Sequence, residues 1–573
     1  LIDMPTPPHA LPQLSRRLRA ALALSLIATL GLILLGPSRA GASTRQIAII
    51  QDQNQLAVNP AGTLQEMQAL GATTVRVLID WDAIAPDIQS THRPRFRATD
   101  PAAYPTANWD FYDEIVRLAR VDGMTVDLTL TGGAPRWAEG SGIPSNYIIS
   151  HNGAARYYAW KPNSTEFGQF VEAVGRRYDG RYTPKGESSA LPRVHFWTIW
   201  NEPNFGINLG PQATDISRIS YAPGMYRNLV RTGYRGLRIT GHSHDTILIG
   251  EFAAHGSSLS DGRHGPKDPQ GLPGYGAQTQ PLPFIRTLYC LSPAGAQLTG
   301  TAARLAGCAT TASGRHLFRV DNPGLFTVTG VGDHPYANNA TPASDGADAS
   351  PEWSTLPNLG RLEATLDQAT HAWGSDRHYP IYNDEYGYIT DPPQRDQASS
   401  VPVGTAARYI NWAEYLSWRE PRVASYDQYL IQDGPPNAAD DNNGGFATGL
   451  YTSQGRAKPS LNAYRMPLWV PSPELTRAGR DTVWGEARPA YWVAKVTGKT
   501  QSVQIQFRAH DRGSFETIKT VRSDTYFEVR PTFSQSGEVR LRFTYPTLMR
   551  DATLQPSAAG RSIISRSQQI TVG

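Results

Sequence analysis

Two glutamates stand where a strand stops. In residues 194–204 an apolar run, with Val194, Phe196, Thr198 and Trp200 alternating onto one face, ends at Asn201-Glu202-Pro203. Pro203 can donate no further ladder hydrogen bond. In residues 381–387, Ile-Tyr-Asn-Asp-Glu-Tyr-Gly, period-two parity groups Ile381, Asn383 and Glu385 and turns Asp384 to the opposite face. A carboxylate at the end of a buried strand sits at a rim, where a cleft can form. Taken singly, each glutamate reads as a salt-bridged rim residue. Two carboxylates at one rim suit the cleavage of an inert acetal, one protonating the leaving oxygen while the other stabilises or attacks the carbon where charge grows. A separation of about 5–5.5 Å gives a covalent intermediate and retention; about 6.5–9.5 Å leaves room for a water and gives inversion.

The elements that would bring the pair together read as an alternation. Strands are predicted at 46–50, 74–81, 124–130, 194–202, 246–251, within 325–336, at 378–386 and at 423–430. Helical periodicity falls at 63–70, 110–120, after an Asn163 or Ser164 cap, and at 226–235, 359–373, 406–418 and 458–465. Eight strands separated mostly by helices predict an α/β fold, a (β/α)8 TIM barrel over residues 45–468. All strands of such a barrel open their C-terminal ends on one face, with the fourth and seventh across the mouth from each other. The barrel's surplus length is assigned to the Gly/Asn/Asp-rich stretches 255–280, 337–351 and 431–446. A proline-marked linker at 468–473 leads to a change of period. Val503/Ile505/Phe507, Phe527/Val529 and Val539/Leu541/Phe543 alternate with polar residues and predict a small C-terminal β-sandwich over 474–573. It reads as a packing domain or a carbohydrate-binding module.

Composition bounds the rest. The chain has 573 residues, 40% hydrophobic and 10% aromatic, as expected of a globular protein of two or more domains. Its 13 Trp and 26 Tyr can serve a core or the flat apolar faces a sugar-binding cleft needs. Residues 1–42 look like a secretory signal peptide: Arg16, Arg17 and Arg19, an apolar run over 20–35, and Ala40-Gly41-Ala42 as a cleavage site. The run also fits an uncleaved anchor; after cleavage no membrane association is expected, and the protein is placed outside the cell. The formal charge of +4 falls to near +1 once the four Arg and one Asp of that segment are set aside, so nucleic acid is not an expected partner. Cys290 and Cys308 suit one disulfide in an exported protein, with two buried thiols as the alternative. Asp440-Asp-Asn-Asn-Gly444 departs from calcium-loop spacing and reads as a solvated loop. No metal or cofactor is implied, and a monomer is expected.

Trp200-Asn-Glu-Pro-Asn204 and Asn383-Asp-Glu-Tyr-Gly387 resemble the two catalytic motifs of clan A glycoside hydrolases, retaining (β/α)8 enzymes, with family 39 or family 5 the nearest in architecture. The resemblance covers the barrel. It implies Glu202 as acid/base, Glu385 as nucleophile, and Asn201 as the residue that binds the sugar 2-hydroxyl. Arg76 lies inside an apolar strand, and on its own reads either as a snorkelling surface residue or as an interior cation held by carboxylates. The resemblance makes it the support of the nucleophile. It also implies that Tyr336, in His334-Pro-Tyr336, hydrogen-bonds the nucleophile; His334 otherwise reads as a rim histidine. The clan often places a tryptophan after the eighth strand. Here that region has only Tyr426 and Tyr429, of which Tyr426 is taken as substrate-binding. Trp137, Trp160 and Trp353 fall in loops as candidate stacking platforms or packing residues.

The function implied is a secreted retaining glycoside hydrolase acting on a poly- or oligosaccharide. A transglycosylase would use the same site, and a barrel that binds glycan without cleaving it would keep the fold without turnover.

Overall fold

A computed structural model of the protein describes residues 46–143, 159–213, 220–256, 278–346, 349–394, 399–435, 446–510, 513–547 and 558–573. The signal segment, the Asp440–Gly444 stretch and most of 255–280 lie outside the described residues.

Eight parallel strands close a barrel: β1 (Ile47–Gln51), β2 (Thr74–Asp80), β3 (Thr125–Thr131), β4 (Phe196–Ile199), β5 (Thr246–Ala253), β6 (Gly330–His334), β7 (Ile381–Asn383) and β8 (Val423–Tyr429). Each pairs with its neighbours in sequence, and β1 closes on β8. Helices α1 (Pro60–Ala69), α2 (Asp110–Asp122), α3 (Ser164–Arg177), α4 (Ala222–Ile239), α5 (Pro281–Leu288), α6 (Leu359–His371), α7 (Val403–Arg419) and α8 (Pro459–Arg465) stand among the connections. Local chemistry sets their ends. Asn163 accepts from the Thr165 and Glu166 amides at the start of α3, and Gly123 ends α2 in the left-handed region at φ 70°.

The barrel interior is layered. Phe196, Leu248 and Tyr382 pack at its N-terminal end, with Ile47 and Ala424 against them. Above them the interior turns polar, with Arg76, Asp127, Thr129, Thr198, Glu251, Asp384 and Asp427 all fully buried. Such a layer holds together only if its charges are paired or neutralised. Outside the strands, Trp197, Ile199, Val331 and Ile381 join the large core shared with the helices.

β4 and β7 are shorter than the runs expected for them. β4 stops at Ile199, and Trp200 follows with φ 74°. That turn breaks the alternation that would carry Trp200 inward. Its ring packs edge-on against Phe167 of α3, 5.3 Å away. Gly132 makes room for it, since a Cβ there would lie 2.7 Å from the Trp200 ring.

The expected linker at 468–473 is not one. β9 (Leu468–Trp469) pairs with β10 (Val483–Gly485), which pairs with β11 (Phe527–Val529). A second, larger sheet contains Ser502–Ala509, Glu516–Arg522 and Gly537–Thr544 in antiparallel pairing. Val503, Ile505, Val539, Leu541 and Phe543 share one core with Leu468, Val470, Val483 and Phe527. The sequence at 489–497, Pro-Ala-Tyr-Trp-Val-Ala-Lys-Val-Thr, adds a helix that alternation alone did not predict.

This C-terminal unit is joined to the barrel through buried contacts. Arg488 forms an ion pair with Glu414 of α7, and Tyr526 donates to the same carboxylate at 2.6 Å. Trp492 donates to the Ala72 carbonyl at 2.9 Å, and Trp412 stacks on Trp469 at 5.1 Å.

Cys290 and Cys308 are disulfide-bonded. Beside them Arg227 is buried and donates to the carbonyls of Leu288, Ala306 and Gly307, each at 2.8 Å. Burial, with Arg231 nearby, lowers it to about 10. Among the described residues, no helix is long and apolar enough to cross a membrane.

Candidate active site

Arg76 is the hub of the barrel's mouth. It enters from β2, is fully buried, and reaches four strands. Its Nε and Nη2 grip Glu251 at 3.0 and 2.5 Å. Nη1 donates to Glu385 at 3.1 Å and to Gln51, and Nη2 donates to the Asn201 side-chain oxygen at 2.9 Å. The surface reading of Arg76 is therefore excluded. Burial alone would discharge a guanidinium; Glu251 and Glu385 outweigh it and hold the charge on Arg76.

Glu202 and Glu385 meet at this mouth. A carboxylate oxygen of each, together with a ring nitrogen of His334, lies within 4.8 Å of the others. The two carboxylates are dressed differently. Glu385 accepts from Arg76 and, at 3.0 Å, from the Tyr336 hydroxyl. Glu202 contacts His334 Nδ1 at 2.9 Å and accepts from the Asn208 amide at 3.1 Å. Both stay partly open to the cleft, with side chains 18% and 13% exposed for Glu202 and Glu385. Burial raises Glu385, while His334, Arg76 and the Tyr336 hydrogen bond pull it back. Burial raises Tyr336 far above its ordinary value, and the charge on Glu385 adds to this, so the phenol remains a donor. Burial opposes charging His334, but Glu385 and the Glu202 contact outweigh it and leave the imidazole above its usual range.

Backbone strain marks the same place. Glu202 and Glu251 have φ of 42° and 51°, and the Glu202 amide donates to the Glu251 carbonyl at 3.1 Å. Left-handed non-glycine residues cost about 1–3 kcal/mol each and persist where surrounding structure over-determines them.

Glu251 was not singled out from the sequence, for a physical reason. Regular alternation along β5 turns it toward the helices. The register of β5 against β6 shifts between Gly250 and Phe252, so one extra residue is accommodated and Glu251 swings inward. Its Oε1 also accepts from Thr129 at 3.0 Å. Along β7, parity groups Asp384 with the inward-facing Tyr382, and it is Glu385 that departs from the alternation. β7 ends at Asn383, so alternation no longer governs Glu385. Asp384 points into the barrel beneath Glu385, fully buried. Gly332 of β6 leaves it space, since a Cβ there would lie 2.4 Å from Asp384 Oδ2 and 2.8 Å from Glu251 Cγ.

Not every expected residue joins the site. Tyr426 does not: it is 1% exposed, packs on Tyr386, and donates to the Ile410 carbonyl of α7 on the helix side of β8. Tyr429, three residues on and of opposite parity, takes the cleft side. Phe446 bridges Tyr336 and Tyr429 edge-on, at 5.2 and 5.6 Å, and is itself 42% exposed. Trp137 spends its indole N–H on the Pro86 carbonyl at 3.0 Å and packs on Trp81 and Phe96. It is a packing residue of the loop after β3. Trp160 is buried at 2% exposure, and Trp353 donates to the Gly256 carbonyl at 2.9 Å beside His255.

Glu251, His334 and Asp384 also bring a ligand atom each within 4.8 Å. The positive charge that such acids need is already supplied there by the Arg76 guanidinium, bonded to both oxygens of Glu251.

No protein-family model matches the chain, and no curated protein sequence matches it. Among solved structures, a family 39 glycoside hydrolase from the gut symbiont Bacteroides cellulosilyticus WH2 superposes with a TM-score of 0.44 at 12% identity, covering 87% of this chain and 82% of that one. A glucosidase from Croceicoccus marinus gives 0.44 at 10% identity over 93% and 94%. A GH5_18 protein from Streptomyces cattleya, in complex with GlcNAc, gives 0.42 at 13% over 74% and 79%. At these scores the functional reading has to come from the residues at the barrel's mouth.

Proposed function

We propose that this protein is a retaining glycoside hydrolase, with Glu385 as nucleophile and Glu202 as acid/base, acting on a poly- or oligosaccharide outside the cell. The observation that carries the reading is the spacing and unequal partnering of these two carboxylates. Oxygens within 4.8 Å of each other match the close spacing, about 5–5.5 Å, at which one carboxylate attacks directly, and fall short of the roughly 6.5–9.5 Å of inverting enzymes, which favours double displacement.

Their partners divide the labour. Arg76 and Tyr336 hold negative charge on Glu385, as a nucleophile requires. Glu202 starts protonated and donates to the leaving oxygen as Glu385 attacks the anomeric carbon. The C–O bond to the leaving group breaks and a glycosyl ester on Glu385 forms. With the charge on Glu385 consumed, Glu202 takes a proton from water, whose oxygen attacks the same carbon and releases Glu385. Arg76 fixes the Asn201 oxygen, so the amide nitrogen of Asn201 is turned toward a sugar hydroxyl. The exposed face of Phe446, braced by Tyr336 and Tyr429, offers the flat apolar surface a pyranose ring stacks on.

A panel of chromogenic aryl glycosides and common polysaccharides tests the reading. Turnover of at least one by the wild type, abolished in Glu385→Gln, is the expected result. Glycan binding without turnover by the wild type would contradict it.

A further inference from the structure

Asp384 is a buried carboxyl group that the proposed chemistry does not use. Among the described residues neither of its oxygens has a hydrogen-bond partner, and the same holds for Nε2 of His334. These two orphans face each other, Asp384 Oδ1 lying 3.6 Å from His334 Nε2 with both side chains fully buried. A shift of about half an ångström would bring them to hydrogen-bond distance. The other ring nitrogen, Nδ1, meets Glu202 Oε1 at 2.9 Å. Asp384, His334 and Glu202 thus form a line that runs from the barrel interior to the proposed acid. The space for its inner end is left by Gly332.

We propose that Asp384 is a positioning residue for Glu202, acting through His334; this rests on the glycosidase reading above. The charged groups around the imidazole are Glu202, Arg76, Glu251, Glu385, Asp384 and, on its own strand, Asp333, so the histidine stands among five acids and one cation. Under these conditions a proton occupies the gap between Asp384 and Nε2. If it sits on nitrogen, Glu385 and Glu202 keep the ring charged, so Asp384 is a carboxylate facing an imidazolium with hydrogen on both nitrogens; if it sits on oxygen, Nε2 is the acceptor and the neutral ring carries its one hydrogen on Nδ1. In both cases Nδ1 keeps its hydrogen and donates to Glu202 Oε1. That oxygen is then an acceptor only, and the transferable proton of Glu202 is confined to Oε2, beside Asn208. The same N–H steadies the carboxylate once the proton has left. A buried carboxyl behind an imidazole, bonded to nothing that holds the fold, is suited to this task.

The test compares kcat/KM, which reports the first covalent step, for paired 2,4-dinitrophenyl and phenyl β-glycosides of one sugar returned by the chromogenic panel. Dinitrophenolate departs without a proton and phenolate does not. Asp384→Leu, a near-isostere that no longer fixes which ring nitrogen carries hydrogen and so lets Nδ1 accept the Glu202 proton, is expected to lower the phenyl value about 100-fold or more. It should lower the dinitrophenyl value less than about threefold. Asp384→Asn, whose amide can donate to Nε2, is expected to recover most of the phenyl activity. Equal losses on both substrates, or no loss on either, would overturn the assignment. A readout that does not depend on the variants is the nitrogen-15 spectrum of the wild-type imidazole, expected to show hydrogen on Nδ1. An active wild type with a bare Nδ1 overturns the role of Asp384 alone. A wild type with the expected spectrum but no turnover of any glycoside overturns the glycosidase reading and this role with it.

Discussion

Glu251 holds Arg76 through both of its carboxylate oxygens, and neither side chain is exposed. The pair anchors the site from below, because the same guanidinium reaches Glu385 and Asn201. Removing one member leaves the other charge buried and uncompensated. Glu251→Ala is expected to destabilise the protein by about 3–5 kcal/mol, measured by denaturant unfolding. Unchanged stability would mean that Arg76 finds its counter-charge elsewhere.

The Tyr336 hydroxyl is one of the donors that hold Glu385. A hydrogen bond to a charged group is worth about 1.5–3 kcal/mol, so Tyr336→Phe should lower kcat/KM roughly 10- to 100-fold. The fold should be untouched, as the ring keeps its stack on Tyr386 at 6.0 Å. A loss of that size together with an unchanged melting temperature is the signature to look for.

Burial, with Glu251 beside it, raises Asp127 from 3.8 to about 8. Its folded-state value therefore lies above its unfolded one, and between the two the folded protein binds more protons. The stabilisation from neutral Asp127 is fully present below about pH 4 and is lost as pH rises through about 8. Asp127→Asn removes this loss. Compared with the variant, the wild type should become progressively less stable between those limits in parallel denaturant titrations. Parallel pH–stability curves would show that Asp127 is ionised in the folded protein.

The barrel was legible because its strands are apolar, separated by amphipathic helices and ended by Pro203, or by the Asn383-Asp384-Glu385 turn. The two glutamates could be paired before their distance was known because strands four and seven must open on the same mouth. What alternation could not reveal depends on places where alternation fails. The irregularity at Gly250–Phe252 turns Glu251 inward, the left-handed Trp200 leaves the interior, and the early end of β7 frees Glu385 from parity. Tyr426 and Tyr429 differ in parity, so only one could face the cleft, and the sequence did not say which. The β-strand at Leu468–Trp469 is too short to carry a periodic signal.

Phe446 is exposed at the cleft and supports no part of the core. Aromatic contacts are worth about 0.5–1.5 kcal/mol, so Phe446→Ala should lower kcat/KM by about two- to tenfold and leave the melting temperature in place. Phe446→Trp should preserve activity. A thermal shift without a kinetic effect would reassign the ring to packing.

The C-terminal sheets cover Glu414 and the aromatic face of α7 that meets Trp469 and Trp484. Deleting residues 468–573 should therefore yield an aggregating barrel, through an exposed apolar patch and an unpaired buried carboxylate. Recovery of a soluble, active barrel would show instead that the sheets are a tethered module.

The central claim is tested most directly by trapping. Incubation with a 2-deoxy-2-fluoro glycoside carrying a good leaving group, followed by peptide mass mapping, is expected to show one sugar adduct on the peptide containing Glu385. An adduct on a different residue, or steady turnover of the same glycoside to an inverted product with Glu385 unmodified, would contradict the account.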